Sequence, residues 1–155
     1  MEIERRFLVA EVPDGFKMLA NKLIQQYYVE TPEGDYRLRE ETNLLGDQSV
    51  QYWKTVKRGQ GLVREESNLQ LSSPEFKDLT TGLSGKWLRK VRTVYGYLDF
   101  RLEVDTFLDF QLRVVEVEFD SVERAVSFQV PAWFGLEITD QQDYNNYSLW
   151  KQLND

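Results

Sequence analysis

Across residues 2–9 the chain alternates between two unlike faces. Glu2, Glu4 and Arg6 fall on one side of an extended strand, and Ile3 and Phe7 on the other. On a single half-buried strand the charged side would simply face solvent. The pattern recurs, however, in Arg37 and Arg39, Arg64 and Glu66, Lys90 and Arg92, Glu103 and Asp105, and Glu116 and Glu118, each pair spaced i, i+2 among apolar or β-branched neighbours. A repeated charged stripe with an apolar back is a property of the whole sheet.

Turn signals separate these stripes. Val12-Pro13-Asp14-Gly15 ends the first, and Phe16, Leu19 and Leu23 then recur at helical spacing, which predicts a short amphipathic helix over residues 16–23. Residues 24–30 suit a strand, Thr31-Pro32-Glu33-Gly34 a turn, and residues 35–41 its hairpin partner. A connection at 42–48 leads to a strand at 49–57, and Gly59 and Gly61 punctuate the step into another at 62–71. Ser72-Ser73-Pro74-Glu75 combines a capping hydroxyl, an early proline and a first-turn acid, so a helix is expected from Pro74 to Thr81. Strands follow at 87–95, 97–105 and 111–119, with Gly96 read as a tight hairpin between the first two. A helix at 122–128, a stiff aromatic connection at 131–135 and a helix at 147–153 complete the chain. This is a mostly antiparallel α+β domain of eight strands with short helices, and residues 1–155 form one unit.

If the sheet closes into a barrel, every strand acquires an inward and an outward face. Alternation alone leaves open which face is charged. Both signs occur in the stripes; burying them without partners would be prohibitive, whereas a polyanion and a divalent cation could satisfy both sets.

Composition narrows the chemistry. The 155 residues include no cysteine and no histidine, which removes disulfides, thiolate nucleophiles, zinc–cysteine sites and the commonest general base. The net charge of −7 argues against a broad nucleic-acid or anionic-membrane surface, and no signal peptide or membrane-length apolar run is visible. A cytoplasmic protein is expected.

The opening Glu2-Ile3-Glu4-Arg5-Arg6 resembles the E-x-E-x-K motif of the CYTH superfamily, the triphosphate tunnel metalloenzymes. The likeness continues through Gln26-Tyr27-Tyr28, Arg37-Leu38-Arg39, Thr55-Val56-Lys57, Arg64-Glu65-Glu66, Lys90-Val91-Arg92, Glu103-Val104-Asp105, Val115 to Phe119, Trp133-Phe134-Gly135 and Glu137-Ile138-Thr139. It spans essentially the whole chain and is strongest to the small bacterial members. The resemblance implies an eight-stranded antiparallel β-barrel tunnel with a polar lumen and helices packed outside. It further implies hydrolysis of a triphosphate compound, with inorganic tripolyphosphate as the leading substrate and Mg²⁺ or Mn²⁺ as cofactor. Adenylate cyclisation and a purely binding role for polyphosphate or triphosphate are the alternatives, and a homodimer is compatible with all three.

Carried over by position, the resemblance assigns Glu2, Glu4, Glu66, Asp105, Glu116 and Glu118 to metal and Arg37, Arg39, Lys57, Arg64, Lys90 and Arg92 to phosphate oxygens. Carboxylates suit hard divalent cations, and guanidinium and ammonium groups suit phosphate. Two positions depart from the pattern. In some small members the lysine that ends the opening motif forms a catalytic pair with a tyrosine matching Tyr28. Arg6 stands there, so the implied pair is Arg6 and Tyr28, with an arginine that binds phosphate and does not readily release a proton. Asn68 replaces a second acid after Glu66, which removes a negative charge from the expected metal side. By alternation Arg5 belongs outside, only one of Tyr27 and Tyr28 can face a lumen, and the four tryptophans are expected in core or rim packing.

Overall fold

In the computed structural model, which describes residues 2–58 and 62–155, the chain runs β1 (Glu2–Leu8), β2 (Lys17–Val29), β3 (Tyr36–Asn43), β4 (Val50–Arg58), β5 (Val63–Leu71) and α1 (Ser73–Thr80). It continues with β6 (Leu88–Tyr97), β7 (Phe100–Phe107), β8 (Arg113–Phe119), α2 (Val122–Ser127), a 3-10 turn (Gln142–Tyr144) and α3 (Asn146–Asn154). Met1 and the connection marked by Gly59 and Gly61 lie outside the described residues. The strands close in the order β1-β5-β4-β3-β2-β6-β7-β8, with every neighbour antiparallel. Closure forces each strand to present one face inward.

Two local expectations are corrected. Residues 16–23 do not form a helix; Phe16 precedes the 13-residue strand β2 and residues 17–23 belong to it. Residues 22–26 pair with β3 on one side and β6 on the other, so sheet ladders satisfy the backbone groups that a helix would have satisfied internally. The helical spacing has no core to serve, since Leu19 is 45% exposed. Gly96 is likewise inside β6, opposite Arg101, and the hairpin turns two residues later at Leu98 and Asp99, with Leu98 at φ 53°. The α1 start is as expected: Ser72 accepts from the Glu75 N–H while the Glu75 carboxylate accepts from the Ser72 N–H.

The apolar faces point outward and are covered. Phe7, Leu102, Val104, Val115, Val117 and Phe119 from β1, β7 and β8 pack under Ala125 of α2 and under Phe128 and Phe134. Each such aromatic or aliphatic burial contributes roughly 1.5–3 kcal/mol. Leu38, Leu71 and Phe76 form a second cluster beneath α1, and Leu149 and Trp150 of α3 pack on Leu88, Phe107 and Val114 in a third.

This covering decides which face is inside. The charged stripes line the lumen.

β5 pairs with only Glu2 and Ile3 of β1. Residues 135–138 take the rest of that edge: Gly135 N–H donates to Leu8 O at 2.6 Å, Leu8 N–H to Leu136 O at 2.8 Å and Ile138 N–H to Arg6 O at 2.8 Å. The approach requires glycine, because a Cβ on residue 135 would stand 2.7 Å from the Leu8 carbonyl oxygen.

Candidate active site

The strand register sets out the lumen charges. Glu2 lies opposite Arg64, Lys57 opposite Glu66, Arg6 opposite Glu116 and Arg92 opposite Asp105, so opposite signs meet across neighbouring strands. Elsewhere like charges meet: Glu4 faces Glu118, and Glu103 faces Glu116. Directly opposed carboxylates repel unless something positive joins them.

Three acids gather without full compensation. Carboxylate oxygens of Glu2, Glu4 and Glu118 lie within 4.8 Å of one another. Desolvation, followed by the hydrogen bond to Glu66, pushes Glu2 up to about 7. Partial desolvation, followed by Glu103 and then Glu2 and Glu116, pushes Glu118 up to about 7 as well. Arg64 contacts both Glu2 and Glu4 from the side. Three converging oxygen donors, two of which burial and acidic neighbours keep from ionising readily, are chemically suited to a hard divalent cation.

The other three expected metal ligands are held by cations. Burial works against ionisation of Asp105, but Arg92 at 2.8 Å and Lys90 at 2.8 Å hold its carboxyl well below the usual range. Glu116 is similarly buried and similarly kept ionised by Arg92 and Arg6, each at 3.1 Å. Glu66 sits low despite its burial, through its hydrogen bond to Glu2 and the charge of Lys57 at 3.4 Å. These three organise the basic groups around them.

The expected phosphate ligands divide in the same way. Lys57, Arg64, Lys90 and Arg92 each have a carboxylate partner. Lys90 is fully enclosed; burial pushes it down to about 7, Asp105 opposes that, and Arg92 and Arg39 add to the depression. Arg37 and Arg39 have no carboxylate partner among the described residues. Arg37 is 4% exposed, its Nη2 donates to the Thr55 hydroxyl at 3.3 Å, and its Nε is buried without a partner. Among the described residues Arg39 donates only to the Gln26 amide oxygen, and burial, then Arg37 and Arg92, lower its guanidinium to about 10. Two enclosed guanidiniums with neutral partners are poised for an incoming anion.

They border two adjacent spaces, Arg37 both and Arg39 the second. A cavity of about 250 Å³ is lined by Arg6, Tyr28, Arg37, Lys57, Arg64 and Glu116, with Asn145, Asn146 and Tyr147 closing one side. A second, of about 180 Å³, shares Arg37 and Thr55 with the first and adds Lys22, Arg39, Glu41, Trp53, Glu66 and Asn68. Arg6 is fixed between Glu116 and the Tyr144 carbonyl, to which its Nη2 donates at 3.0 Å. Tyr28 faces the first cavity, whereas Tyr27 packs outside on Trp87 and Trp150. Arg5 is outside on Glu137, as alternation required. Trp53, expected in core or rim packing, instead faces the lumen.

No family model matches the chain. Over 151 residues, 96% of the chain and 95% of the relative, the sequence is 37% identical to an inorganic triphosphatase of Nitrosomonas europaea. The chain belongs to the CYTH superfamily of triphosphate tunnel metalloenzymes. A crystal structure of an inorganic triphosphatase superposes on this CYTH barrel with a TM-score of 0.65 at 31% identity, over 97% of this chain and 94% of that one. A Hippeastrum protein described as an adenylyl cyclase with a dominant triphosphatase activity shares the barrel at a TM-score of 0.56 and 17% identity, over 81% and 83% of the two chains. That likeness concerns the fold alone.

Several lumen residues were given no role by the motif reading, although Glu103, Gln26 and Thr55 stand inside its motifs. Glu103 contacts Arg92 at 3.2 Å, and its i, i+2 spacing from Asp105 was the available signal. Gln26, Lys22, Glu41 and Thr55 share the same strand parity, but polar neighbours at Gln25, Asn21, Glu40 and Lys54 blur the alternation around them. Asn146, which accepts from Lys90 at 3.2 Å, comes from α3 and follows no strand pattern.

Proposed function

We propose that this CYTH barrel hydrolyses a triphosphate, with inorganic tripolyphosphate as the substrate. The supporting observation is the placement of Arg37 and Arg39, two enclosed cations without carboxylate partners, in a lumen that also presents the Glu2, Glu4 and Glu118 cluster. Arg37 and Arg39 take the phosphate oxygens, assisted by Lys57 and Arg64 on the wall of the first cavity. Each guanidinium offers paired donors to a phosphate edge, which fixes the chain of phosphates along the lumen.

Arg6 contributes a stationary positive charge, since Glu116 and the Tyr144 carbonyl hold it in place. Tyr28 offers a hydroxyl hydrogen to the same cavity. Hydrolysis forms one bond from water oxygen to phosphorus and breaks one phosphoanhydride bond, giving phosphate and diphosphate. The cationic wall stabilises the charge that accumulates on the departing oxygen. Glu2, Glu4 and Glu118 would hold Mg²⁺ or Mn²⁺, which when bound supplies charge neutralisation and orientation of water and phosphate. This reading takes the cytoplasm as the site of reaction, in keeping with a chain that contains no cysteine.

Phosphate release from tripolyphosphate by the purified protein, with Mg²⁺, with Mn²⁺ and with chelator, tests the proposal. Release that needs the cation and falls at least a hundredfold in Glu4→Gln is expected. Absence of release under every condition would refute it.

A further inference from the structure

Gln26 is fully buried on the lumen face of β2, directly opposite Arg39 of β3 and one inward position away from Tyr28. An uncharged amide enclosed among ionised groups must find partners, and its partners dictate which way it points. A guanidinium can only donate, so the Arg39 Nε and Nη2, at 3.2 and 3.0 Å, face the amide oxygen. The amide nitrogen is thereby turned to the Tyr28 hydroxyl, 3.4 Å away, and donates to it.

Each end of this arrangement has a chemical consequence. On one side Arg39 is gripped by two of its donors, which leaves the remainder of the guanidinium directed at the lumen. On the other, a phenol oxygen that accepts from Gln26 must send its own hydrogen elsewhere. The space on offer is the cavity Tyr28 shares with Arg6 and Arg37. A glutamate at this position would reverse both effects. It would neutralise Arg39 and, being an acceptor, draw the phenol hydrogen onto itself.

We infer that Gln26 is a positioning residue that couples the two cavities, holding Arg39 for the phosphate chain and aiming the Tyr28 hydroxyl hydrogen at the substrate. The inference rests on the triphosphate reading above. Gln26 itself touches no reacting atom; it acts through Arg39 and Tyr28.

The test combines two cycles on the full chain. Tripolyphosphate binding is measured by calorimetry in chelator, and kcat and KM for tripolyphosphate are measured with Mg²⁺. Gln26→Leu should weaken binding and lower kcat about tenfold each, the scale of losing hydrogen bonds to charged or reacting groups. The binding loss should vanish in an Arg39→Met background, and the kcat loss in a Tyr28→Phe background. Gln26→Glu should lower kcat at least as far. Gln26→Met, unbranched and of similar length, serves if the leucine variant does not fold.

Penalties that persist undiminished in both backgrounds belong to a merely structural residue and overturn the inference, as does a Gln26→Leu enzyme with wild-type constants. A wild type that binds tripolyphosphate without turnover refutes the triphosphatase reading and the Tyr28 arm with it. The binding cycle with Arg39→Met then decides the coupling to Arg39 by itself.

Discussion

Arg37→Met should make the ligand-free protein more stable and nearly abolish its response to ligand. Arg37 is 4% exposed, and among the described residues its only hydrogen-bond partner is a hydroxyl at 3.3 Å and its buried Nε has none. Methionine keeps most of the apolar stem and removes the charge. It strands no partner, because the Thr55 hydroxyl still donates to Asn68 at 2.6 Å. It also relieves the repulsion that Arg37 exerts on Arg39. Against that stands the lost attraction by which Arg37 helps keep Glu66 ionised; removing the unsatisfied buried group, net of this, is worth about 2 kcal/mol. For a chain of this length that raises Tm by roughly 4–8 °C.

Ligand reverses the order of benefit. At a hundred times Kd, tripolyphosphate should stabilise the wild type by about 2.7 kcal/mol. If the variant binds on the order of a hundredfold more weakly, the same concentration adds only about 0.4 kcal/mol. Thermal unfolding in chelator, with and without tripolyphosphate, reads both numbers in one experiment. An Arg37→Met protein that is less stable than wild type without ligand would refute the reasoning, because the guanidinium would then be a net structural contributor.

Further outcomes are expected elsewhere. The Arg5–Glu137 bridge, at 2.7 Å, holds the Glu137 carboxyl below its usual range, so its contribution is present above about pH 4.5 and is lost as pH falls through the lowered value. Arg5→Met should flatten the acid limb of a stability–pH profile by no more than about 1 kcal/mol, since Glu137 is partly exposed; an unchanged limb would contradict this. Gly135→Ala should cost about 2–3 kcal/mol in denaturant unfolding, because the backbone oxygen that its Cβ meets cannot rotate aside.

Much of this was legible in the sequence, and for identifiable reasons. The stripes at Glu2, Glu4 and Arg6 and at Glu116 and Glu118 announced strands, since a period of two is hard to imitate. They could not announce which face is inside, because inversion preserves the period; Phe128, Phe134 and Ala125, which cover the apolar face, decide it. Residues 16–23 misled because Phe16, Leu19 and Leu23 fell at helical spacing across the start of a strand, of which Lys22 and Leu23 pair with both β3 and β6. At the site, residue types were readable and partnership was not. Nothing in the one-dimensional pattern separates Arg92, locked onto Asp105, from Arg39, which faces only an amide.

The register of β1 also bears on how the chain assembles. Its longest pairing is with β8, where Glu4 sits opposite Glu118, more than a hundred residues along the chain. Loop-closure entropy makes such a contact slow to form, so the ring is expected to shut late in folding. Shutting it brings carboxylates from the two strands together against their repulsion. The acidic cluster is therefore absent from any intermediate in which β1 and β8 are apart, and a divalent cation that binds it acts as a clasp on the last seam rather than a seed for the first turn.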